Sequence, residues 1–338
     1  MMIIGCDFHP SFQQIAFVDL ETGDTGETRL GHGDGEAERF YRGLTVPARV
    51  GLEATGRTAW FERLLYRLGH ELWVGDAARI RAAEVRKQKT DRRDASLILR
   101  LMMEDRFPWI WSPGLQERDR RQLVLHRHHV VQLRTRVKNQ LQSLAMSEGV
   151  QRGRRLWSAK GHEQLRQLDL LPWASCRRDD LLEILEQFDT RLIDLDDAVR
   201  HQAEADPAIR RLMTHPGVGP VVASAFVLTI GDPRRFGTSK QVVSYLGLAP
   251  SEYSSAGHQR LGHISKQGNP LLRWLLVEAA QSAVRFDAEW KRQYVRLAMR
   301  KSRPLAITAV ARKLAVRLWW MWKLELDYPQ IMAGSHAE

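Results

Sequence analysis

The chain has 338 residues, enough for two or three domains with real cores, and carries a formal net charge of +11 with a pI near 10.0. That charge is the electrostatic footprint of a phosphate-binding protein, although basic ribosomal and membrane-surface proteins share it, so charge alone decides little. Cys6 and Cys176 form no CxxC pair, which argues against a zinc site or a disulfide framework and suits a reducing compartment. No charged leader with a long apolar stretch opens the chain, and the most apolar window, Val221 to Ile230, is too short to span a bilayer. The expectation is a soluble, cytoplasmic protein with no membrane partner.

The apolar run Met2-Ile3-Ile4-Gly5-Cys6 reads as a strand ending at Asp7, where His9-Pro10 breaks it. Gln14 to Leu20 reads as a second strand, and the Glu21-Thr22-Gly23-Asp24 turn leads to a weaker third. Ala48 to Leu52 forms another apolar run, ending at Glu53. Thr58 to Leu68 is expected as a helix with Trp60, Leu64, Leu65 and Leu68 on one face. Glu71 to Val74 is a short strand, and one helix is expected from Arg79 through Met103. The stretch from Phe107-Pro108-Trp109 to Pro113-Gly114 marks a boundary.

In the middle of the chain Leu123, Val130, Leu133, Val137, Leu141 and Leu144 keep near-heptad spacing, as do Leu181, Leu185, Phe188, Leu192, Leu195 and Val199. Two such stripes point to long helices pairing as a coiled coil, within the chain or between subunits. The first is basic, with Arg127, Arg134, Arg136 and Lys138, and the second carries Glu183, Glu186, Asp194, Asp196 and Asp197. Either these charges are merely solvated, or the basic helix touches nucleic acid. Farther on, His215-Pro216-Gly217-Val218-Gly219-Pro220 precedes the helical Val221 to Ile230 run. Such a hairpin offers backbone N–H groups to a phosphate, and a tight turn between packed helices accounts for it equally well. A polar loop, Ser251 to Gly262, is followed by helices beginning near Leu271 and running from Leu305 to Trp320.

Four acids stand out against this frame: Asp7 and Glu53 at strand ends, and Asp91 and Asp94 within Lys89-Thr90-Asp91-Arg92-Arg93-Asp94-Ala95. An Asp after a strand is common turn chemistry, and an isolated Asp-x-x-Asp is usually a solvated helix face. Together, and in this order, they fit a strand meander of RNase H-like type with the first acid on the first strand. Carboxylates i, i+3 on a helix share one face, and hard oxygen ligands suit Mg²⁺. A pair of ions so held can clamp the attacking and leaving oxygens of a phosphodiester, so the set points to phosphoryl transfer on nucleic acid.

These residues, with Pro216-Gly217-Val218-Gly219, Tyr245-Leu246-Gly247-Leu248-Ala249-Pro250, Ser254-Ser255-Ala256-Gly257, Ser265-Lys266-Gln267-Gly268-Asn269 with Arg273, and Val310-Ala311-Arg312-Lys313-Leu314-Ala315, resemble the DEDD transposases. Those are insertion-sequence recombinases that work with a bridge RNA, and the resemblance covers nearly the whole chain. It implies a RuvC-like, RNase H-like α/β domain over 1–110, a coiled-coil arm over 111–205, and a mainly helical transposase domain with a helix-hairpin-helix-like turn over 206–330. It also implies a serine nucleophile in the last domain, just before a glycine. Ser255 takes that place, with Ser254 as the alternative, and Ala256 stands where glycine is usual. Donor and target DNA, a guide RNA encoded elsewhere, and a homo-oligomer (dimer or tetramer) sharing a composite site complete the implication. Cleavage and rejoining would pass through a phosphoserine–DNA ester.

Two other classes stay open on the sequence: a metal-dependent junction resolvase or nuclease in which water attacks, and a nucleic-acid-binding protein without chemistry. Under all three readings Lys87, Lys89, Arg92, Arg134, Arg136, Lys138, Gly217, Gly219, Lys266 and Arg273 are the candidate phosphate contacts.

Overall fold

In the computed structural model, which describes residues 1–83, 90–150, 153–253 and 260–334, the first apolar run forms β1 (Met2–Phe8). It continues into an antiparallel meander with β2 (Phe12–Asp19) and β3 (Thr25–Gly31). Helix α1 (Glu36–Gly43) leads to β4 (Ala48–Glu53), and α2 (Ala59–Arg67) leads to β5 (Glu71–Gly75). Strands β4 and β5 join on the other side of β1, both parallel to it, and the sheet order is β3-β2-β1-β4-β5. This mixed sheet is consistent with the expected RNase H-like class.

Strand alternation sends successive side chains to opposite faces. Ile4, Cys6, Val50 and Leu52 pack with Tyr41, Phe61, Leu64 and Leu65 of α1 and α2. Ile3 faces the other way, toward α3 (Ala77–Ala82) and α4 (Asp91–Met103), where Ile80, Leu97, Ile98, Leu101 and Met102 form a separate core. The single helix expected from Arg79 to Met103 is therefore corrected to two. Asp76 caps the first, and Thr90 is extended (φ −145°, ψ 146°), its side chain accepting from the Arg93 amide, so a new helix starts at Asp91.

Glycines let α4 lie close to the sheet. Gly5 and Gly51 are register partners on β1 and β4. A β-carbon on Gly5 would run into the Ala95 carbonyl and the Leu99 amide of α4, and one on Gly51 into the Met102 side chain. The backbone of α4 thus rests directly on β1.

The chain divides into two compact units, Met1–Leu115 and Gln116–Glu338, and the segments expected as arm and transposase domain both fall in the second. There α5 (Leu115–Ser147) is followed by α6 (Ala159–Arg166) and α7 (Pro172–Ala205). Ion pairs Arg127–Asp196 (2.8 Å) and Arg134–Asp189 (3.0 Å) join α5 and α7 with falling numbers on one as they rise on the other, so the pair is antiparallel within one chain. On α5 Val130, Val137, Leu141 and Ala145 are buried, the last three packed on α7 through Leu181, Leu182 and Leu185; Leu133, expected with them, is exposed. Of the predicted stripe on α5, Val130, Val137 and Leu141 are buried as expected, while Leu133 is exposed and its neighbour Arg134 is half-buried in an ion pair with Asp189.

The rest of this unit is helical: α8 (Pro207–Met213), α9 (Pro220–Ile230), α10 (Ser239–Tyr245), α11 (Pro270–Phe286), α12 (Ala288–Ala298), α13 (Arg303–Lys323) and α14 (Tyr328–Ala333). A short hairpin, β6 (Pro250–Glu252) with β7 (Leu261–Ile264), precedes α11. The core gathers Phe226, Leu276, Leu314, Trp290 and Trp319. Among the described residues no helix is long and apolar enough to cross a membrane.

His215 is sealed in this core at 1% exposure, against Trp290 and Tyr328. Its Nδ1–H donates to the Pro216 carbonyl at 2.7 Å, which leaves Nε2 as a lone pair without a partner among the described residues. Burial pushes its pKa down to about 4.

Two outcomes follow from this packing. Gly5→Ala should cost about 3 kcal/mol in urea unfolding, because backbone rather than a pliable side chain must move, while Gly56→Ala, whose β-carbon meets open space, should change little. Unfolded, His215 gains a proton below about pH 6.5; folded, it stays neutral until about pH 4, so the stability of its neutral form is lost as pH falls through that window. The stability gap between the parent and His215→Gln should accordingly shift by about 3 kcal/mol against the parent between about pH 7 and about pH 4, and a pH-independent gap would contradict the burial of a neutral imidazole.

Candidate active site

Parallel pairing of β1 and β4 puts their C-terminal ends on one edge of the sheet, which is where Asp7 and Glu53 stand. Asp7 shares a strand face with Ile3 and Gly5, so it emerges on the side covered by α4. Thr90 fixes where α4 begins, and the first turn then carries Asp91 and Asp94, where the positive end of the helix dipole favours carboxylates. Because α4 crosses β1 at Gly5, that first turn meets the end of the strand.

The resulting cluster holds Asp7, Asp91 and His9, with one ligand atom from each within 4.8 Å of the others. His9 Nε2 lies 3.1 Å from Asp7 Oδ2 and 3.6 Å from Asp91 Oδ1. Asp94 is close enough to act on Asp7 electrostatically. Burial drives the Asp7 pKa upward, the neighbouring His9 opposes this through its hydrogen bond and charge, and Asp94 and Asp91 push it up further; the net shift is upward. Glu53, at the end of the adjacent strand, is held by Arg81, whose Nη2 is 3.0 Å from Glu53 Oε1. The structure thus joins Asp7 to Asp91, adds His9, and sets Asp94 within reach, while Glu53 is engaged with Arg81. This donor set, rich in carboxylate oxygen and carrying surplus negative charge in a partly buried place, fits a divalent cation. Cys6 is not part of it: its thiol faces the opposite core, burial raises its pKa, and it contacts Gln13 Oε1 at 3.6 Å.

The expected phosphate contacts fare differently from one another. Arg92 pairs with Glu27 at 3.2 Å, and Arg134 is committed to Asp189. Lys138 sits over the Trp157 ring at 5.0 Å, with its pKa lowered by burial and then by Arg134. Arg136 is exposed and lines a groove of about 910 Å³ between α5 and the start of α11, beside His128, His129 and Trp274. A β-carbon on Gly217 would lie 2.6 Å from the Ala283 amide nitrogen and 2.7 Å from the Ala279 carbonyl, so this glycine serves close packing on α11; Gly219 faces open space. Lys266 is exposed in a left-handed conformation (φ 56°), and Arg273 donates to the Leu246 carbonyl at 3.3 Å. Lys87, Lys89, Ser254 and Ser255 lie outside the described residues.

His9 and Arg81 are the members that sequence reasoning missed. His9 was read only as part of the strand break with Pro10. The spacing Asp7-x-His9 holds the signal, since residues i and i+2 leaving a strand share a side and bring two ligand types together.

The chain matches two family patterns: one described as Transposase, of the DEDD IS110 kind, over residues 5–147, and the Transposase IS116/IS110/IS902 family over residues 209–296. A probable family 20 transposase of Pseudomonas aeruginosa is 29% identical over 299 residues, covering 86% of this chain and 88% of that protein. A putative transposase of Sinorhizobium fredii is 30% identical over 319 residues (83% and 78%). The transposase for insertion sequence element IS1111A of Coxiella burnetii is 27% identical over 246 residues (70% and 67%).

The crowding of carboxylates around Asp7 gives a measurable outcome. In chelator, Asp7→Asn should be more stable to denaturant than the parent by about 1 kcal/mol, because a charge disfavoured by burial and, to a lesser degree, by Asp94 and Asp91 is removed. Added Mg²⁺ should then raise the melting temperature of the parent and leave Asp7→Asn unchanged. Equal stabilisation of both proteins by Mg²⁺ would count against a cation at Asp7.

Proposed function

Because the chain belongs to the DEDD transposases of insertion sequences related to IS110, we propose that it cuts and rejoins DNA strands through a serine ester. In this reading Ser255 attacks, and Asp7, Glu53, Asp91 and Asp94 hold Mg²⁺ in an RNase H-like, RuvC-like domain. The observation that carries it is the meeting of Asp7, His9 and Asp91 at the end of β1. The cluster lies where two strand ends and a helix start can face a phosphate.

The chemistry balances. The Ser255 hydroxyl loses its proton to a base as its oxygen bonds to phosphorus, and the phosphorus–oxygen bond to the departing strand breaks, freeing a hydroxyl end. The energy of that bond is kept in the phosphoserine ester, so a hydroxyl end of another strand can attack it and release the serine. Bound Mg²⁺ would supply Lewis-acid stabilisation of the charge developing on the phosphate oxygens. The carboxylates orient that charge-bearing group and make the site selective for a cation–phosphate pair. Exposed Arg136 and Lys266, with the excess positive charge of the chain, support contact with DNA and with the guide RNA that the resemblance implies. Two or more copies of the chain would be needed to join two duplexes.

Denaturing electrophoresis after incubation with insertion-sequence ends, guide RNA and Mg²⁺ tests the reading. The parent should give a protein–DNA adduct, Ser255→Ala should give none and lose strand exchange, and Ser254→Ala should keep substantial activity. Adducts from both single variants would move the nucleophile out of this loop. Cut DNA without any adduct would mean that water attacks and that the protein is a nuclease.

A further inference from the structure

We propose that His9 is a nitrogen ligand in the cation site of Asp7 and Asp91, which makes this a mixed nitrogen–oxygen centre that takes Mn²⁺ in preference to Mg²⁺. The inference rests on the reading of this cluster as a cation site and adds to its carboxylates a nitrogen ligand and the metal class that such a ligand selects.

Neighbouring ligands of a six-coordinate ion with bonds of about 2.1 Å stand about 3.0 Å apart. His9 Nε2 is 3.1 Å from Asp7 Oδ2 and 3.6 Å from Asp91 Oδ1, close to the edge lengths of one coordination polyhedron. Asp7 and His9 come from the end of β1 and the residue that follows it, and Asp91 comes from the first turn of α4. Ligands from two elements far apart in sequence face one another across a point in space, whereas neighbours along one helix face offer only an edge.

The ring is also held ready. The His9 amide donates to the Phe12 carbonyl at 2.9 Å, which closes the β1–β2 turn. The imidazole stacks on Phe12 with centroids 4.6 Å apart and planes 18° from parallel, and Arg29 lies 3.8 Å from the same Phe12 ring centroid. This stack fixes the plane of the imidazole, so Nε2 points at the carboxylates without a search among rotamers. With the ring proton on Nδ1, Nε2 presents its lone pair to a cation; with the proton on Nε2, it donates to Asp7.

Chemistry then selects the ion. Mg²⁺ wants an oxygen octahedron and keeps its waters, while imidazole nitrogen suits the first-row transition ions. Two carboxylates keep the site hard enough for Mn²⁺, and one imidazole adds affinity that Mg²⁺ cannot use.

The test uses the full-length protein with Mn²⁺ or Mg²⁺ alone, without nucleic acid. Pulsed electron paramagnetic resonance of bound Mn²⁺ should show coupling to a ¹⁴N nucleus, and titration calorimetry should give tighter binding of Mn²⁺ than of Mg²⁺. In His9→Gln the nitrogen coupling should vanish and Mn²⁺ affinity should fall by about tenfold or more, with Mg²⁺ affinity changed by less than about twofold. Nitrogen coupling in the parent needs no variant and so does not depend on how His9→Gln folds. Mn²⁺ bound through Asp7 and Asp91 without nitrogen coupling would overturn the assignment of His9 and leave the cation site standing. Absence of binding by either ion, with Asp7→Asn indistinguishable from the parent, would overturn both.

Discussion

The close approach of α4 to β1 at Gly5 is the constraint on which the site depends. A helix normally stands off a sheet by the depth of the side chains between them. Here the backbone at Ala95 and Leu99 takes the space of a missing β-carbon, and Gly51 on the neighbouring strand leaves room for Met102. Lowering the helix onto the strand aligns its first turn with the strand end. Asp7 projects two residues beyond Gly5, and Glu53 two residues beyond Gly51, so each strand carries the same glycine-x-acid pattern on one face. The same small residues that permit the packing thus set the height of the acids.

Gathering those acids works against stability. Asp7 is partly buried beside Asp91 and Asp94, and its pKa is raised by burial first and by their charges second. His9 and the start of α4 offset some of that repulsion, and Arg81 does so for Glu53. Perturbed groups of this kind collect where chemistry is done, which is the ground for proposing the site here. The second unit shows the opposite treatment of charge. Arg127 and Arg134 of α5, which look available in sequence, are paired with Asp196 and Asp189 of α7.

Much of this was legible in the sequence where local pattern decides. The apolar runs ending at Asp7 and Glu53 became β1 and β4, and the Asp-x-x-Asp segment became a helix start. What was missed depends on contacts distant in sequence. The break between α3 and α4 turns on Thr90 acting as a cap, which periodicity does not register. On α5 the expected Val130, Val137 and Leu141 are buried, but Leu133 is not, because its neighbour Arg134, satisfied by Asp189, takes the half-buried place that a hydrophobic count gives to the leucine. Gly217, plausible as a phosphate-binding turn, turns out to face the backbone of α11. His9 was hidden because its partner Asp91 is brought to it only by the fold.

The central claim is that α4, seated on Gly5, builds a divalent-cation site from Asp7 and Asp91. Crystals of the protein grown with Mn²⁺ and measured at its absorption edge test this most directly. The account predicts an anomalous peak about 2.2 Å from the Asp7 and Asp91 carboxylate oxygens, beneath the first turn of α4. A map with no peak there at saturating Mn²⁺, or with the ion held by other residues, would contradict it.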